Sequence, residues 1–559
     1  MKRLILPVFV LLVALLFLGC TFPGPAGTGE GAKNVTPETN NTIQTAPPGV
    51  TVYRLNPNAV GYVELKDNIY NLGVISNDPN SLKAEYEAGF VQGKLQKGLL
   101  ALSRDNAWDG VALNDVSHQK KIPPTDGQKK QAQDLMIINY NHTIEYAKNA
   151  DPKVRTQISR ILFRMLGVYH GATKDAPAAL DFSGNWMPEL GYFSADELRV
   201  NYETEPVSFM DVYFLNAYMD MFDVADDQGP QAADNPSKCS AFIKKTENGV
   251  FLAHNSWSTY LDQSMALTYY IHGDYIAVNT INPGAVTSLA DFGYNNKGLM
   301  FLETTHHNTY SQPKADALWM YLRAALAEQF AGSIDEFYQL ASLEPSGTYM
   351  NGYMVYDNKT GEMGLVEMSY KSFILFKSNA NGSYDITSNP ANLSKEYDHE
   401  LVQPNVLLGV NFPASYAIRD ELKAVENRPM RRVQFLARIG GVNDIESAKD
   451  LITYTDPNEP LSIYGRWDLG YGTTPSPKKV PDGSIDAKAM SASMMAYSRN
   501  LKGELDFGSP KQAFWMKYGT PIINGTPFIW SKSEWNGQKL RWVPDVVDGN
   551  YTLVKAYIK

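Results

Sequence analysis

Residues 239–257, with the sequence CSAFIKKTENGVFLAHNSW, restrict the fold most, because they predict an antiparallel β-hairpin of defined register. Two short apolar-rich segments flank the turn signal TENG. If Lys245 and Val250 close a four-residue loop, Cys239 lies opposite Ser256. A slip of one residue would turn one strand's side chains to the other face of the sheet, so the prediction depends on the length of the loop.

The predicted register brings three polar side chains to one face of the hairpin. Ala241 lies opposite His254, and alternate residues of a strand point the same way, so Cys239, His254 and Ser256 share that face. The backbones at Cys239 and His254 are then diagonal neighbours about 7–8 Å apart, which lets a thiol and an imidazole meet. A histidine on a strand also has a simpler interpretation, as a hydrogen-bonded core residue, and the pattern leaves both open.

Cys239 has no cysteine to pair with, because the chain contains two cysteines and the other, Cys20, lies in an N-terminal export signal. Exported proteins normally pair their thiols or lack them. One interpretation of Cys239 is a small buried hydrophobic residue. The other is an N-terminal nucleophile, because Cys239 begins a strand directly after a polar loop. In that chemistry the protein cuts its own Lys238–Cys239 bond, and the new α-amino group, with a pKa of about 8, is the base for the thiol.

The N-terminus has the pattern of an export signal. Residues 1–20, MKRLILPVFVLLVALLFLGC, combine two basic residues with an apolar run that ends at glycine and cysteine. This ending resembles a lipobox and predicts Cys20 as the lipid-anchored first residue of a mature lipoprotein; the alternative is an uncleaved anchor helix. Residues 21–50 are rich in Gly, Pro, Thr and Asn and predict a flexible tether. We therefore expect an exported protein, anchored on the outer face of the cytoplasmic membrane or at the cell surface.

The rest of the chain changes character near residue 225. Residues 51–224 predict a mostly helical N-terminal portion, and residues 225–238 predict a polar surface loop. Residues 239–559 alternate short strands with amphipathic helices, which indicates a layered α/β (α+β) sandwich. Hydrophobic residues make up 44% of the chain, enough for a packed core. The net charge of -10, without a basic cluster, argues against nucleic acid as a partner.

Several segments of the chain follow, in order, the motifs of a known family. They are SKCSAFIK with GVFLAHNSWSTY, NNKGLMFLETTHHN, SGTYMNGYMVYD, VNFPASY, RPMRRVQFLAR and SIYGRWDL. In this order they resemble the phospholipase B-like proteins, lysosomal and secreted members of the N-terminal nucleophile hydrolase superfamily, over roughly residues 205–535. The resemblance implies a four-layer αββα sandwich, self-processing before Cys239 and catalysis by the resulting N-terminal cysteine.

The resemblance also implies roles for residues downstream of Cys239. His254 and Trp257 match the family's AH-x-x-W positions, which line the site. Asn411, in VNFP, matches an asparagine whose side-chain amide helps to form the oxyanion hole in more distant relatives, the bile-salt hydrolases and penicillin acylases. Thr305 stands where those relatives have an asparagine near the oxyanion. Donors aimed at a developing oxyanion are commonly worth about 3–4 kcal/mol.

An arginine of the wider superfamily falls at Arg431 or Arg432, and the sequence does not decide which. The alternative for both is a charge on a helix surface. Trp257, Ser256 and Thr304 complete the expected site as substrate-binding residues, and Trp257 is equally compatible with a packing role. The resemblance therefore identifies one residue as the nucleophile but leaves alternatives for the residues around it.

The chain departs from the family in three respects. It lacks the paired structural cysteines of the animal members, its LETTHHN segment contains two histidines in place of a different pair, and residues near 470–490 diverge. These departures leave substrate choice less defined than fold.

Other site chemistries have less support in the sequence. His306 and His307 are adjacent and would point to opposite faces of a strand, and HExxH and CxxC spacings are absent from the sequence, so we expect no metal and no cofactor. The absence of G-x-S-x-G disfavours a serine lipase of the α/β-hydrolase type. Scattered Asp and Glu pairs give little support to a glycosidase.

The sequence thus predicts an exported hydrolase that cleaves an acyl ester or amide through a thioester on Cys239. The expected partners are a lipid or other acylated small molecule, the membrane surface at the N-terminus, and the protein's own N-terminal fragment, retained because its helices are apolar. A protein of another class stays open: a non-catalytic binding or structural protein that keeps the sandwich fold.

Overall fold

The structure is a computed structural model and describes most of the chain from residue 46 onward. The described ranges are 46–114, 123–183, 192–225, 238–262, 265–271, 275–287, 292–307, 310–426, 429–459, 461–465, 482–495, 501–519, 527–533, 544–547 and 549–559.

Helices and strands occur in alternating blocks along this chain. The helices are α1 (Ser81–Leu95), α2 (Lys97–Asn114), α3 (Asp126–Asn149), α4 (Pro152–Thr173), α5 (Phe209–Ala225), α6 (Met320–Phe330), α7 (Ile334–Ala341), α8 (Tyr416–Leu422), α9 (Pro429–Arg438) and α10 (Ile445–Ile452). The strands are β1 (Val50–Arg54), β2 (Ala59–Lys66), β3 (Ile69–Ser76), β4 (Lys238–Thr246), β5 (Gly249–Thr259), β6 (Met265–Ile271), β7 (Tyr275–Ile281), β8 (Phe292–Asn295), β9 (Leu299–Thr305), β10 (Asn351–Asp357), β11 (Glu362–Met368), β12 (Phe373–Ser378), β13 (Tyr384–Asn389), β14 (Val402–Gln403), β15 (Val406–Gly409), β16 (Asp482–Ser491), β17 (Lys511–Tyr518), β18 (Phe528–Ile529), β19 (Val546–Val547) and β20 (Thr552–Ala556).

Two large sheets contain most of the described strands. The larger has the order β1-β2-β3-β6-β7-β8-β9-β10-β11-β12-β13, and the smaller has the order β14-β15-β4-β5-β16-β17-β20. Neighbouring strands are antiparallel except β3 and β6, which are parallel. Strands β18 and β19 form a separate pair. The strand that begins at Lys238, β4, lies inside the smaller sheet rather than at its edge.

Several helices begin at local capping signals. The hydroxyl of Thr125 accepts a hydrogen bond from the Gln128 backbone amide, and the Gln128 side-chain oxygen accepts one from the Thr125 backbone amide, so α3 starts with a capping box. Asp444 and Ser447 make the same exchange at α10. Ser333 accepts the amide of Glu336 at the start of α7. These helix starts are therefore encoded in three or four residues each.

The larger sheet has apolar side chains on both faces. In β9, Phe301 belongs to a hydrophobic cluster that contains residues of helices α1 to α7. Met300 and Leu302 belong to a second cluster, which contains residues of the smaller sheet together with Phe435 of α9 and Ile452 of α10. Alternate residues of one strand thus pack against different neighbours, as strand geometry requires. The fold is a mixed α/β architecture with two large sheets and N-terminal helices.

The N-terminal portion differs from its prediction. The portion expected to be mostly helical does contain helices α1 to α5, but β1, β2 and β3 precede them and extend the larger sheet. The turn between β2 and β3 is formed by Asp67 and Asn68, which have φ values of 50° and 64°. Two left-handed residues in a two-residue turn are the signature of a type I′ hairpin. Because β3 pairs with β6, the portions before and after Cys239 share one sheet.

Parts of the predicted organisation lie outside the described residues. The expected signal, the tether as far as residue 45 and the anchor Cys20 all fall in residues 1–45, and most of the expected processing loop falls in residues 226–237.

Among the described helices, none has the length and apolarity needed to span a membrane.

Candidate active site

The hairpin of β4 and β5 has the predicted register. Cys239 pairs with Ser256, Ala241 with His254, and Lys245 with Val250, which confirms the register expected from the sequence. The loop is shorter than expected, because Thr246 and Gly249 also pair and leave a turn of two residues. The pairing order is unchanged, so the shorter turn does not alter which side chains share a face.

The thiol of Cys239 lies beside an imidazole and a carboxylate. The sulfur of Cys239, a ring nitrogen of His254 and a carboxylate oxygen of Glu303 all lie within 4.8 Å of one another. Cys239 is 8% exposed, and His254 and Glu303 are fully buried. The expected meeting of thiol and imidazole therefore occurs, with a carboxylate from β9 that the sequence analysis did not include.

Burial determines the protonation state of His254. Removal from water lowers the pKa of His254 well below its ordinary value, and the positive charge of Lys488 lowers it further, whereas the backbone of Glu303 opposes the shift. Neither ring nitrogen of His254 has full hydrogen-bond geometry with a described residue, and the backbone of Glu303 is a polar contact outside that geometry. The neutral imidazole presents a lone pair to the thiol, although its lowered pKa makes it a weaker proton acceptor than an ordinary histidine.

Asn411 holds the backbone of Cys239. Its side-chain oxygen accepts the Cys239 amide at 3.1 Å, and its side-chain nitrogen donates to the carbonyl of Thr305 at 2.7 Å. Asn411 has a φ of 61°, in the left-handed region that asparagine tolerates better than most residues. Thr305 contributes its backbone carbonyl here, while its hydroxyl donates to Tyr349 at 3.2 Å. Asn411 and Thr305 are thus brought to the site, and the Thr305 side chain is engaged elsewhere.

Only one of the two candidate arginines contacts Cys239. Arg431 donates to the Cys239 carbonyl at 2.6 Å and to the Asn411 side-chain oxygen at 2.9 Å. It also donates to the Ser240 hydroxyl at 3.1 Å and to the carbonyl of Val410 at 2.8 Å. Arg431 is 1% exposed, so its guanidinium ties the first residues of β4 to the segment that contains Asn411.

Arg432 lies in a different environment. Its guanidinium forms ion pairs with Asp398 at 2.8 Å, Glu426 at 2.9 Å and Glu400 at 3.3 Å. Successive helical residues point about 100° apart, so neighbours in sequence rarely face the same site. Of the two arginines between which the sequence left the choice open, the described chain places Arg431 at Cys239 and Arg432 among these carboxylates.

The side chains predicted to bind substrate are buried and contact other protein groups. Trp257 is 1% exposed, and the Arg431 guanidinium lies 4.6 Å from its ring centre, a cation–π contact. The hydroxyl of Ser256 accepts a hydrogen bond from the Lys488 ammonium at 2.8 Å. Thr304 is buried on β9 against Gly409, where a Cβ atom on the glycine would clash with it. These three side chains are therefore buried in contacts within the protein rather than exposed to solvent.

A buried ion pair borders the site and was not predicted. Lys488 and Asp486 are fully buried, with the ammonium 2.6 Å from the carboxylate, and Asp486 also accepts the amide of Ser256 at 3.1 Å. They pair across β16 and β5 with His254 and Ser256. A lysine and an aspartate in a strand of otherwise small and apolar residues were the available signal, because buried charges are rare unless they are paired.

The two adjacent histidines are not among the donors grouped at Cys239. A ring nitrogen of His306 is 3.8 Å from the carboxylate of Glu367, and the backbone amide of His307 donates to the Asn411 carbonyl at 2.9 Å. Lys238 pairs through its backbone with Trp257 at the start of β4. The group of three metal-type donors found in the described residues is Cys239, His254 and Glu303.

Glu367 gives a pH-dependent prediction near the site. Its carboxylate accepts the amides of Ala414 and Ser415 at 2.5 and 2.8 Å, in the segment that follows Asn411. Burial raises its pKa from 4.5 to about 7; these amides and Arg419 oppose the shift, and Asp398 adds to it. Folding then favours the protonated form, so the stabilisation is complete below about pH 4.5 and is lost as pH rises through 7.

We expect this carboxyl alone to lower the unfolding free energy by about 2 kcal/mol between pH 5 and 7.5. Glu367→Gln cannot titrate, so the fall in its unfolding free energy over that range should be smaller than the wild-type fall by that amount. Urea unfolding of both proteins at the two pH values measures the difference. Parallel pH profiles for the two proteins would contradict the raised pKa of Glu367.

Comparisons with known proteins cover both the site and most of the chain. A family model described as Phospholipase B matches residues 189–375, which include Cys239, His254 and Glu303. Phospholipase-B 81 of Drysdalia coronoides is 27% identical over 558 residues, covering 89% of this chain and 86% of that protein. Phospholipase B-like 1 of Rattus norvegicus is 26% identical over 417 residues, covering 66% of this chain and 68% of that protein. Phospholipase B-like 1 of Bos taurus is 30% identical over a shorter 181 residues, which are 28% of this chain and 32% of that protein.

Proposed function

We propose, because the chain is a distant homologue of the phospholipase B-like proteins over most of its length, that it is a hydrolase of acyl esters or amides with Cys239 as an N-terminal nucleophile. The observation that carries this proposal is the set of groups that contact Cys239. Its thiol lies beside His254 and Glu303, and its amide and carbonyl are held by Asn411 and Arg431. A nucleophile with its backbone fixed at both ends is oriented before substrate arrives.

The layers of the fold support an αββα sandwich of the N-terminal nucleophile hydrolase type. One hydrophobic cluster joins the larger sheet to the N-terminal helices. The other joins the two sheets to each other and to α9 and α10. The order helices, sheet, sheet, helices accounts for both clusters, with Cys239 in the smaller sheet.

Self-processing would use His254 as the first proton acceptor. In the intact chain Cys239 has no α-amino group, so another base is needed, and His254 is within 4.8 Å of the sulfur. The thiol proton passes to His254, and the thiolate attacks the Lys238 carbonyl carbon. The C–N bond to Cys239 breaks, the departing nitrogen takes the proton from His254, and the Lys238 acyl group is left as a thioester. That step frees the Cys239 α-amino group, and water then hydrolyses the thioester to give the Lys238 carboxylate and the free Cys239 thiol.

Turnover would use the same thiol with the new α-amino group as its base. The thiolate attacks the acyl carbon of the substrate, the alcohol or amine leaves with a proton, and water hydrolyses the thioester on Cys239. The Asn411 side-chain nitrogen is the donor proposed for the developing oxyanion, since only one of its two N–H groups is needed for the Thr305 carbonyl. The names of the relatives favour a phospholipid acyl ester as substrate.

The proposed setting is a membrane surface outside the cytoplasm, with the N-terminus attached through Cys20 or an uncleaved anchor. The N-terminal fragment is proposed to stay bound after processing. Its strand β3 pairs with β6, and its helices share a hydrophobic cluster with the larger sheet, so release would expose much apolar surface.

Cleavage at the Lys238–Cys239 bond tests the nucleophile directly. Intact-mass analysis of the purified wild-type protein should give two fragments, one ending at Lys238 and the other beginning at Cys239. Cys239→Ala removes the attacking atom and should stay a single chain. Cys239→Ser keeps a weaker nucleophile in place and should cleave more slowly. A wild-type protein that remains a single uncut chain would overturn the proposal of self-processing.

Hydrolysis by the same purified proteins tests catalysis apart from cleavage. Phospholipids, lysophospholipids and acyl amides are supplied to wild-type protein and to Cys239→Ala, and released fatty acid is measured. Wild-type protein should release fatty acid from at least one class, with loss of most of that activity in the alanine variant. Equal fatty-acid release by both proteins would exclude Cys239 as the nucleophile, and no release by either protein from any substrate would favour a non-catalytic binding protein.

A further inference from the structure

The donors around Cys239 are those of a transition-metal site as well as those of a nucleophile. We propose that Cys239, His254 and Glu303 bind one divalent ion of the zinc class and that this ion blocks the thiol. The blocking effect rests on the proposed function, whereas the binding itself does not. No sequence motif predicts such a site, because its ligands come from three separate strands at spacings that match no metal motif.

The donor set selects the class of ion. A thiolate sulfur, an imidazole nitrogen and a carboxylate oxygen are all ordinary zinc ligands, and a three-residue set leaves a fourth position open. Magnesium and calcium prefer sites made of oxygen alone, so a site with sulfur and nitrogen disfavours them. The structure therefore points to zinc, or to cobalt as its spectroscopic substitute.

The distances are compatible with one ion bound by all three residues. Zinc lies about 2.3 Å from sulfur and about 2.0–2.2 Å from nitrogen or oxygen, so tetrahedral ligands are about 3.3–3.6 Å apart. The three donor atoms lie within 4.8 Å of one another, which leaves at most about 1.5 Å for side-chain rotation to close. No change of the sheet register is required.

The neighbouring charges also suit a cation. A thiolate and a carboxylate balance the two charges of the ion, and the imidazole adds none. Next to them, Lys488 is already paired with Asp486 at 2.6 Å. Arg431 is the charged group that opposes binding, but its guanidinium is directed at the carbonyl of Cys239 and the side chain of Asn411.

The imidazole of His254 supplies an independent indication. It is fully buried, and neither ring nitrogen has full hydrogen-bond geometry with a described residue, the backbone of Glu303 being a polar contact outside that geometry. A buried polar group without a partner is unfavourable, and coordination of a metal would satisfy one nitrogen. Binding would also occupy the thiol and its proton acceptor together, so a bound ion would stop both self-cleavage and turnover.

Cobalt titration tests the site without relying on activity. Purified full-length protein, kept reduced, is titrated with Co²⁺, and the near-ultraviolet band of thiolate-to-cobalt charge transfer is recorded. We expect one equivalent to produce the band and Zn²⁺ to remove it. Cys239→Ala should abolish it, and His254→Gln or Glu303→Gln should weaken binding at least 100-fold. Glu367→Gln, a matched change at another buried carboxyl, should leave it unchanged.

A second measurement needs only the wild-type protein, in case a variant fails to fold. Zn²⁺ should slow alkylation of Cys239 by iodoacetamide at least tenfold, as measured by intact mass, whereas Mg²⁺ should not. Protein that hydrolyses substrate through Cys239 but shows neither the cobalt band nor protection by zinc would overturn the metal site and leave the proposed function standing. Protein that binds cobalt through Cys239 but releases no product would support the metal site and reject the hydrolase.

Discussion

Replacing Arg431 with glutamine is expected to slow both cleavage at Lys238–Cys239 and acyl hydrolysis by on the order of 100-fold or more. The guanidinium fixes the Cys239 carbonyl and the Asn411 side-chain oxygen together, so its loss frees the nucleophile and the proposed oxyanion donor at once. Glutamine is too short and has too few donors to replace a four-bonded guanidinium. Fragment yield over time and fatty-acid release measure the two effects.

The matched control is the same change at the next residue. Arg432→Gln removes ion pairs with Asp398, Glu400 and Glu426 on a partly exposed face, and we expect less than a threefold effect on either rate. Thermal unfolding of both variants shows whether each is folded at the assay temperature. Equal rates for folded Arg431→Gln and Arg432→Gln would contradict a positioning role for Arg431.

The adjacent arginines show what sequence can resolve near a site. The hairpin register followed from local rules, because an alternating pattern and a short turn fix which residues lie opposite each other. The choice between Arg431 and Arg432 depends on the rotation of α9 against the sheet. The buried face of that helix contains Arg431, Gln434 and Phe435, spaced three and four residues apart, so an amphipathic pattern was present but was not used.

The residues missed at the site are those brought there by distant strands. Glu303 is on β9 of the larger sheet, and Asp486 and Lys488 are on β16 of the smaller sheet. Their approach to Cys239 depends on the packing of two sheets and on the strand order β4-β5-β16, neither of which follows from local periodicity. The local signal present in the sequence was a pair of charged residues, Asp486 and Lys488, inside a largely apolar strand, where charges are rare.

The N-terminal strands were missed for a different reason. The segments VTVYR, AVGYVELK and IYNLGVIS are rich in β-branched and aromatic residues, and an Asp-Asn turn separates the last two. The local signal for strands was therefore present. The strong helical patterns from residue 81 onward led to a helical prediction for the whole portion. The strand that extends this sheet, β6, also follows only after Cys239 in the sequence, where it pairs with β3.

The helices that follow those strands cross at unusually short range. Gly89 and Gly93 of α1 face the backbone of α4, and Gly167 and Gly171 of α4 face the backbone of α1. A Cβ atom added at any of the four would come closer than 3.0 Å to a backbone carbonyl oxygen of the other helix. Side chains can rotate away from a clash of this kind, but two helix backbones cannot without separating.

Gly89→Ala is therefore expected to lower the unfolding free energy by roughly 2–4 kcal/mol. Buried ion pairs also hold the two helices at this distance. The carboxylate of Glu85 in α1 accepts hydrogen bonds from Arg160 and Arg164 of α4 at 2.8 and 2.7 Å. Separating them to admit a methyl group would stretch these bonds and open the apolar contacts of the same face. Urea unfolding measures the change.

Gly98→Ala is the control for the helical preference of alanine. Gly98 is an exposed residue of α2 with no atom within 4 Å of an added Cβ, so the substitution should raise the unfolding free energy by a few tenths to about 1 kcal/mol. The same substitution is thus expected to change the unfolding free energy in opposite directions at the two positions. The clash with the backbone of α4 decides the sign at Gly89, and the lower entropy of the unfolded chain decides it at Gly98. Equal urea midpoints for Gly89→Ala and Gly98→Ala would show that α1 and α4 do not cross at this distance.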